Sequence, residues 1–347
     1  MTTHGLQAAT DKMRAAGVPE VAIDVFSGFH EQLRSQVTGT IPEASIEPLT
    51  RVPHLDDVRP DEDSVRQALA QTVIIKLNGG LGTSMGIRGP KSALHVRDGL
   101  TFLDIIARQV LALRRHHGVQ TPLLLMNSFR TRDESLEILA RHPGLAVDDL
   151  PLDFLQSMEP KLRADDLGPV SWPDDPELEW CPPGHGDLYV ALYTSGLLET
   201  LRERGYRYAF LSNADNLGAT CEGAVPAWMA SEGIPYVTEV CPRTLNDRKG
   251  GHLAIRRSDG RLVLRDSAAV VPGEEDHFQD TERHHWFHAN NLWIDLDVLG
   301  ARLEEGHGIL GLPIIVNRKK VDPTRPDSTP VIQIESSMGA AVEVFEG

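Results

Sequence analysis

Residues 73–92 read VIIKLNGGLGTSMGIRGPKS, and the organisation of the whole chain follows from their interpretation. Val73, Ile74, Ile75 and Leu77 form a short, nearly continuous apolar run rich in β-branched residues, the pattern of a strand buried on both faces of a parallel sheet. The run stops at Asn78, and Gly79, Gly80, Gly82, Gly86 and Gly89 follow closely. Without Cβ atoms such a backbone can fold back on itself and come close to a ligand. Converging N–H groups in a loop of this kind suit phosphate oxygens, and Lys91 adds a cation at its end.

Two familiar phosphate motifs are excluded. A Walker A loop needs glycine directly before its lysine, whereas Pro90 separates Gly89 from Lys91. Gly80, Gly82 and Gly86 give GxGxxxG, one residue longer than the dinucleotide fingerprint.

Downstream, Phe102, Leu103, Ile106, Val110 and Leu113 recur at helical spacing before Gly118, and PLLLMN at 122–127 reads as the next strand. Strand, loop, helix and strand make a βαβ unit with the usual right-handed crossover. Thr131 is placed to cap a helix that Pro143 and Gly144 stop, and a short apolar stretch at 153–156 ends in Gln156. Pro160, Pro169, Pro173, Pro176, Pro182 and Pro183 then mark an irregular excursion. It leads into a second glycine turn, PGHGD at 183–187, which carries His185. Ser195 caps the next helix, which ends at Gly205, and YAFLS at 208–212 is a buried strand running into Asn213 and Asp215. Carboxyl ends of parallel strands face the ligand crevice of a doubly wound sheet, and a hard carboxylate there suits Mg²⁺.

Residues 236–240 read as another strand, and a hairpin around residues 258–260 reads as a small antiparallel lobe for a ligand. His284, His285 and His288 lack the spacing and companion ligands of a zinc site. Asn290 and Asn291 open an apolar strand, and Glu335 closes another; such side chains can satisfy hydroxyl groups. Residues 6–16 and 19–35 read as amphipathic helices, so residues 1–55 are expected to be a helical extension packed on a main domain of residues 56–347.

The motifs resemble, in order, those of the eukaryotic-type UTP:glucose-1-phosphate uridylyltransferases, the UDP-glucose pyrophosphorylases. LNGGLGTSMG at 77–86, GPKS at 89–92 and TFLD at 101–104 carry the first match. MNS at 126–128, PGHGD at 183–187, SGLL at 195–198, SNADNLGA at 212–219, KGG at 249–251, NNLW at 290–293, IIVN at 314–317 and IQIE at 332–335 carry the rest. Relatives acting on N-acetylhexosamine phosphates tend to have AGGQGTR in place of residues 78–84, which favours the glucose branch.

The resemblance implies an α/β fold with a doubly wound, mostly parallel, mixed Rossmann-like sheet, helices on both faces and a small antiparallel lobe on the sugar side. It implies that Leu77, Asn78, Gly79, Gly80 and Lys91 hold the UTP phosphates, Gln156 and Gly184 the uracil, and His185 the sugar phosphate. Asp215 would bind Mg²⁺, with Asn213 on the nucleotide and Asn290 and Glu335 near the hexose; Lys91 and Asp215 would carry the catalysis. UTP and glucose 1-phosphate would give UDP-glucose and pyrophosphate. His288 and Ala289 stand where the family has Asn-Thr.

The family also has, past the position of Gly347, a second active-site lysine and a left-handed β-helix domain, neither of which lies in these 347 residues. The expectation is a C-terminally short member or a fragment of one, with Lys319 or Lys320 as substitute cations, or a nucleotide-sugar binder of weak turnover. A formal net charge of -16 argues against a nucleic-acid binder. Cys181, Cys221 and Cys241 form no CxxC pair and fit a reducing cytoplasm. With no run of eighteen apolar residues, a cytoplasmic protein with no membrane partner is expected, and self-association is left open.

Overall fold

The computed structural model describes residues 4–81 and 89–345. Gly82 and Gly86 of the first glycine loop lie outside the described residues.

The strand Thr72–Asn78 is central and buried along nearly its whole length. Strand alternation sends Val73 and Ile75 into one hydrophobic cluster, with Leu188, Leu192, Leu211 and Leu292. It sends Ile74 into another, with Leu103, Ile106, Val110, Phe210 and Trp293. Each such side chain removed from water contributes roughly 1.5–3 kcal/mol, which explains why the apolar run needs helices on both faces.

Among the described residues, four parallel strands form the core of a nine-stranded mixed sheet: Asp153–Leu155, Leu123–Asn127, Thr72–Asn78 and Tyr208–Asn213, in that spatial order. Numbered along the chain, the order is 3-2-1-4, so the winding reverses between Thr72–Asn78 and Tyr208–Asn213. Trp286–Asp295 pairs antiparallel with Tyr208–Asn213, opposing Phe210 to Trp293. Tyr236–Pro242 pairs with it in turn, with an irregularity between Thr238 and Val240.

The hairpin Gly251–Arg256 and Leu262–Asp266 is not a separate lobe. It joins the large sheet where His252 pairs with Phe287. Further along the same strand, residues 254–256 take Ile46–Pro48, so the stretch after the two N-terminal helices supplies a short strand of the large sheet. A separate three-stranded antiparallel sheet is instead built from Ile315–Lys320, Pro330–Glu335 and the two-residue strand Leu162–Arg163.

The N-terminal helices His4–Ala15 and Glu20–Arg34 bury Met13, Ile23, Phe26 and Phe29 against Ile332 and Ile334 of that second sheet and Ile314 just before it. The helix Phe102–His117 starts with a reciprocal capping box, Thr101 and Asp104 each bonding the other's backbone N–H, and ends at left-handed Gly118. Thr131 does not cap Arg132–Leu139: its hydroxyl accepts from Ser128 N–H at 3.0 Å, within the turn that follows the second parallel strand.

Candidate functional site

Ligands of doubly wound sheets sit outside the carboxyl ends of the strands at the point where the winding reverses. Here that point lies between Asn78 and Asn213. A cavity of about 280 Å³ opens there.

Asn78 fixes the root of the first glycine loop. Its side chain is 3% exposed, and its amide donates at 2.7 Å to both Asn127 Oδ1 and Ser135 Oγ, while its oxygen accepts from Ser92 Oγ. Asn78 is therefore spent on structure: it ties the loop to the second strand, to the helix Arg132–Leu139 and to the residue after Lys91. The loop closes through Lys91 N–H to the Gly80 carbonyl at 3.2 Å and a bridge between Leu81 and Pro90. Closure brings Lys91 beside Gly80 and leaves its Nζ 3.9 Å from Asp215 Oδ2, both side chains partly exposed.

Gly79 allows a close approach. A Cβ there would lie 2.6 Å from the Gln156 carboxamide, which packs across the glycine. Gln156 follows the edge strand Asp153–Leu155, and its N–H bonds the Asn127 carbonyl at 2.8 Å.

The second turn is held against the antiparallel sheet. Gly184 has φ +81°, and a Cβ would lie 2.5 Å from the Ser336 carbonyl, so only glycine fits. Gly186 N–H bonds that same carbonyl at 2.9 Å, and Ser336 N–H bonds Pro183 O at 3.0 Å. His185 Nδ1 accepts from Met338 N–H at 3.0 Å, which leaves the ring proton on Nε2. Burial pushes the His185 pKa below its ordinary value, favouring the neutral ring. Asp187, buried and pushed up to about 6 by desolvation, accepts from Ser157 N–H at 2.5 Å and so joins this turn to the Gln156 segment.

The structure thus gathers Leu77, Asn78, Gly79, Gly80 and Lys91 around one cavity with Gln156, Gly184 and His185, and with Asn213 and Asp215. Asn290 and Glu335 border it without lining it. Asn290, with left-handed backbone at φ 55°, donates to Asn213 Oδ1 at 3.0 Å. Glu335 lies behind Gly184, with its Cβ 3.0 Å from where a glycine Cβ would stand, and pairs with Lys319 at 3.6 Å. Lys319 also donates to Gln333 and Lys320 to Ser328 O, so neither cation points to the cavity.

Sequence reading missed Ser92 and Met126, which line the cavity, and the supporting Asn127, Ser135 and Asp187. Ser92 lay inside the glycine-loop motif, and Met126 and Asn127 stood at the carboxyl end of a parallel strand, which was the available signal. The histidines do not converge: His284 bonds Glu43 at 3.1 Å, whereas His288 packs against Gly339.

Among the described residues no group of three His, Cys, Asp or Glu side chains is disposed to cage a metal. Asp215, a partly exposed carboxylate lining the cavity, suits Mg²⁺, which binds through one or two carboxylates together with water and substrate phosphates. No helix among the described residues is long and apolar enough to cross a membrane.

A family model described as UTP–glucose-1-phosphate uridylyltransferase matches residues 23–347. Relatives of that name from Solanum tuberosum and Hordeum vulgare are 35% and 36% identical; the matches cover 96% and 95% of this chain and 70% and 67% of theirs. A solved UDP-glucose phosphorylase from Trypanosoma brucei superposes with a TM-score of 0.93 at 42% identity, over 99% of this chain and 74% of that one. A variant of UDP-glucose pyrophosphorylase from Leishmania major, in complex with UDP-glucose, gives 0.92 at 42% identity, over 100% and 74%.

Proposed function

The chain belongs to the UTP–glucose-1-phosphate uridylyltransferase family, and from that premise we propose that it transfers the uridylyl group of UTP to glucose 1-phosphate, releasing pyrophosphate and forming UDP-glucose. The observation that carries this reading is the meeting, in one cavity at the winding reversal, of a glycine loop with its lysine, a carboxamide, a neutral imidazole and a lone carboxylate.

Each group has a task in that chemistry. Gln156, offering a donor and an acceptor in one plane, matches the imide edge of uracil. The Gly79–Gly80 backbone has no side chain to keep a triphosphate away, and Lys91 supplies charge where the phosphates would lie. His185, with its proton on Nε2, donates to an oxygen of the sugar phosphate. Asp215 would hold Mg²⁺, which when bound supplies charge neutralisation on the polyphosphate.

The reaction is an in-line displacement. A phosphate oxygen of glucose 1-phosphate forms a bond to the α-phosphorus of UTP as the bond from that phosphorus to the bridging oxygen breaks, and pyrophosphate leaves with the electron pair. No covalent enzyme intermediate is required. The protein's work is alignment of two polyanions and compensation of their charge.

Purified protein supplied with UTP, glucose 1-phosphate and Mg²⁺ is expected to release pyrophosphate. Lys91→Ala is expected to lower kcat/KM by about 100-fold or more with an unchanged Tm, because the side chain is exposed. Full activity in that variant would overturn the assignment of Lys91. A second reading, a nucleotide-sugar binder of weak turnover, is favoured by Lys91 being the one cation among the described residues lining the cavity. It predicts a rise in Tm with UTP or UDP-glucose and no pyrophosphate.

A further inference from the structure

Lys76 lies in the central strand with its side chain 2% exposed. Lysine is rarely buried so deeply without a carboxylate partner. Its ammonium instead donates to two neutral acceptors, Ser212 Oγ at 2.6 Å and the Ala219 carbonyl at 2.8 Å, with the Phe210 ring 5.3 Å away. Desolvation pushes its pKa down to about 8, against the longer-range pull of Cys221 and the Glu239 carboxylate, which does not bond it. An apolar side chain of similar length would avoid that cost, so the charge serves something other than core packing.

The two acceptors show what. Ser212 lies just inside the end of the strand Tyr208–Asn213, and Ala219 closes the turn that carries Asp215. Between them, Ala214 N–H bonds the Leu77 carbonyl and Gln109 Nε2 bonds the Leu217 carbonyl, each at 3.0 Å. The turn is fastened at its start, middle and end, and one nitrogen atom supplies both outer fastenings. Among the described residues no hydrogen bond holds the Asp215 carboxylate itself, and its nearest cation is Lys91 at 3.9 Å. Its position is therefore that of the turn.

We propose that Lys76 is a positioning residue for the metal and phosphate end of the site: its buried ammonium fixes turn 213–219 so that Asp215 meets a divalent cation carried by the triphosphate. The inference rests on the uridylyltransferase reading above. Lys76 lines no part of the cavity and acts through Asp215, which separates its task from that of Lys91.

The test is Mg²⁺ titration of the UTP-induced rise in Tm, which reads binding without turnover, beside initial rates at varied Mg²⁺. Lys76→Met is expected to raise the Mg²⁺ midpoint about 10- to 100-fold, the range for groups that orient metal ligands, while the KM for glucose 1-phosphate stays unchanged. Lys76→Arg, retaining a cation, is expected to recover much of the difference. A folded Lys76→Met with the wild-type Mg²⁺ midpoint overturns the proposal. If that variant does not fold, Ser212→Ala removes one of the two acceptors; a midpoint raised by about 2- to 10-fold supports the proposal, and an unchanged one overturns it. A wild-type chain with no Mg²⁺-dependent response to UTP removes the uridylyltransferase reading and this inference together. A normal wild-type response with unshifted variants removes this inference alone.

Discussion

An added methyl group would clash at both Gly79 and Gly184, yet what it would strike differs. At Gly79 it meets the far end of the Gln156 side chain at 2.6 Å; at Gly184 it meets the Ser336 backbone at 2.5 Å in a left-handed conformation. A flexible carboxamide yields and a peptide does not. Gly79→Ala is therefore expected to weaken UTP binding about tenfold, as the displaced carboxamide loses the equivalent of one good hydrogen bond, while Tm stays within about 2 °C. Gly184→Ala is expected to cost about 2 kcal/mol or more of stability through strain and clash, and to impair binding as well. Paired ligand titration and thermal melts separate the two; equal losses of Tm would refute the distinction. Both glycines were legible from sequence as loop glycines. Lys76 was not: a lysine within a β-branched run carries no mark of its burial, because its acceptors, Ser212 and Ala219, lie far along the chain.

At the level of elements, the hairpin Gly251–Arg256 and Leu262–Asp266 is tied to the N-terminal segment through buried charge. Arg265 pairs with Glu43 and Glu274, and Glu43 accepts from His284 at 3.1 Å. His252 stacks on His284 with ring centroids 3.9 Å apart, and among the described residues neither of its ring nitrogens has a hydrogen-bond partner. Desolvation, then His284 and the arginines 243 and 265, push its pKa down to about 2. A histidine neutral when folded and ordinary when unfolded stabilises the fold above about pH 6.5, and loses that contribution as pH falls. Stability is thus expected to drop by about 2 kcal/mol between pH 6.5 and 5 from His252 alone, at 1.36 kcal/mol per pH unit. His252→Phe should flatten the acid limb of a Tm-against-pH curve; an unchanged slope would show that other groups govern it. The turn and both arms of this hairpin were readable from SDG and its flanks. Its membership of the large sheet was not, since pairing of His252 with Phe287 is set by distant packing rather than local pattern. The same holds for Leu162–Arg163, too short for periodicity to register.

Over the whole molecule, the N-terminal helices and the cavity share a support. Phe26, 1% exposed, packs in one cluster with Ile332 and Ile334, and their strand continues directly into Glu335 and Ser336, which brace Gly184. Phe26→Ala is expected to cost about 3–5 kcal/mol and to lower affinity for UDP-glucose, although residue 26 lines no part of that cavity; unaltered affinity in a folded variant would show that the brace stands alone. The βαβ core and its carboxyl-end residues were legible because a parallel strand, a loop and a helix are contiguous in sequence. The brace was not, because it joins segments some 150 residues apart. That separation gives the hydrogen bond between Met338 and His185, 153 positions apart, a meaning in time. On a growing chain the parallel core and its imidazole emerge long before the peptide N–H that sets which ring nitrogen carries the proton. The first glycine loop can be laid down early, but the histidine of the cavity is made ready only once residue 338 has followed.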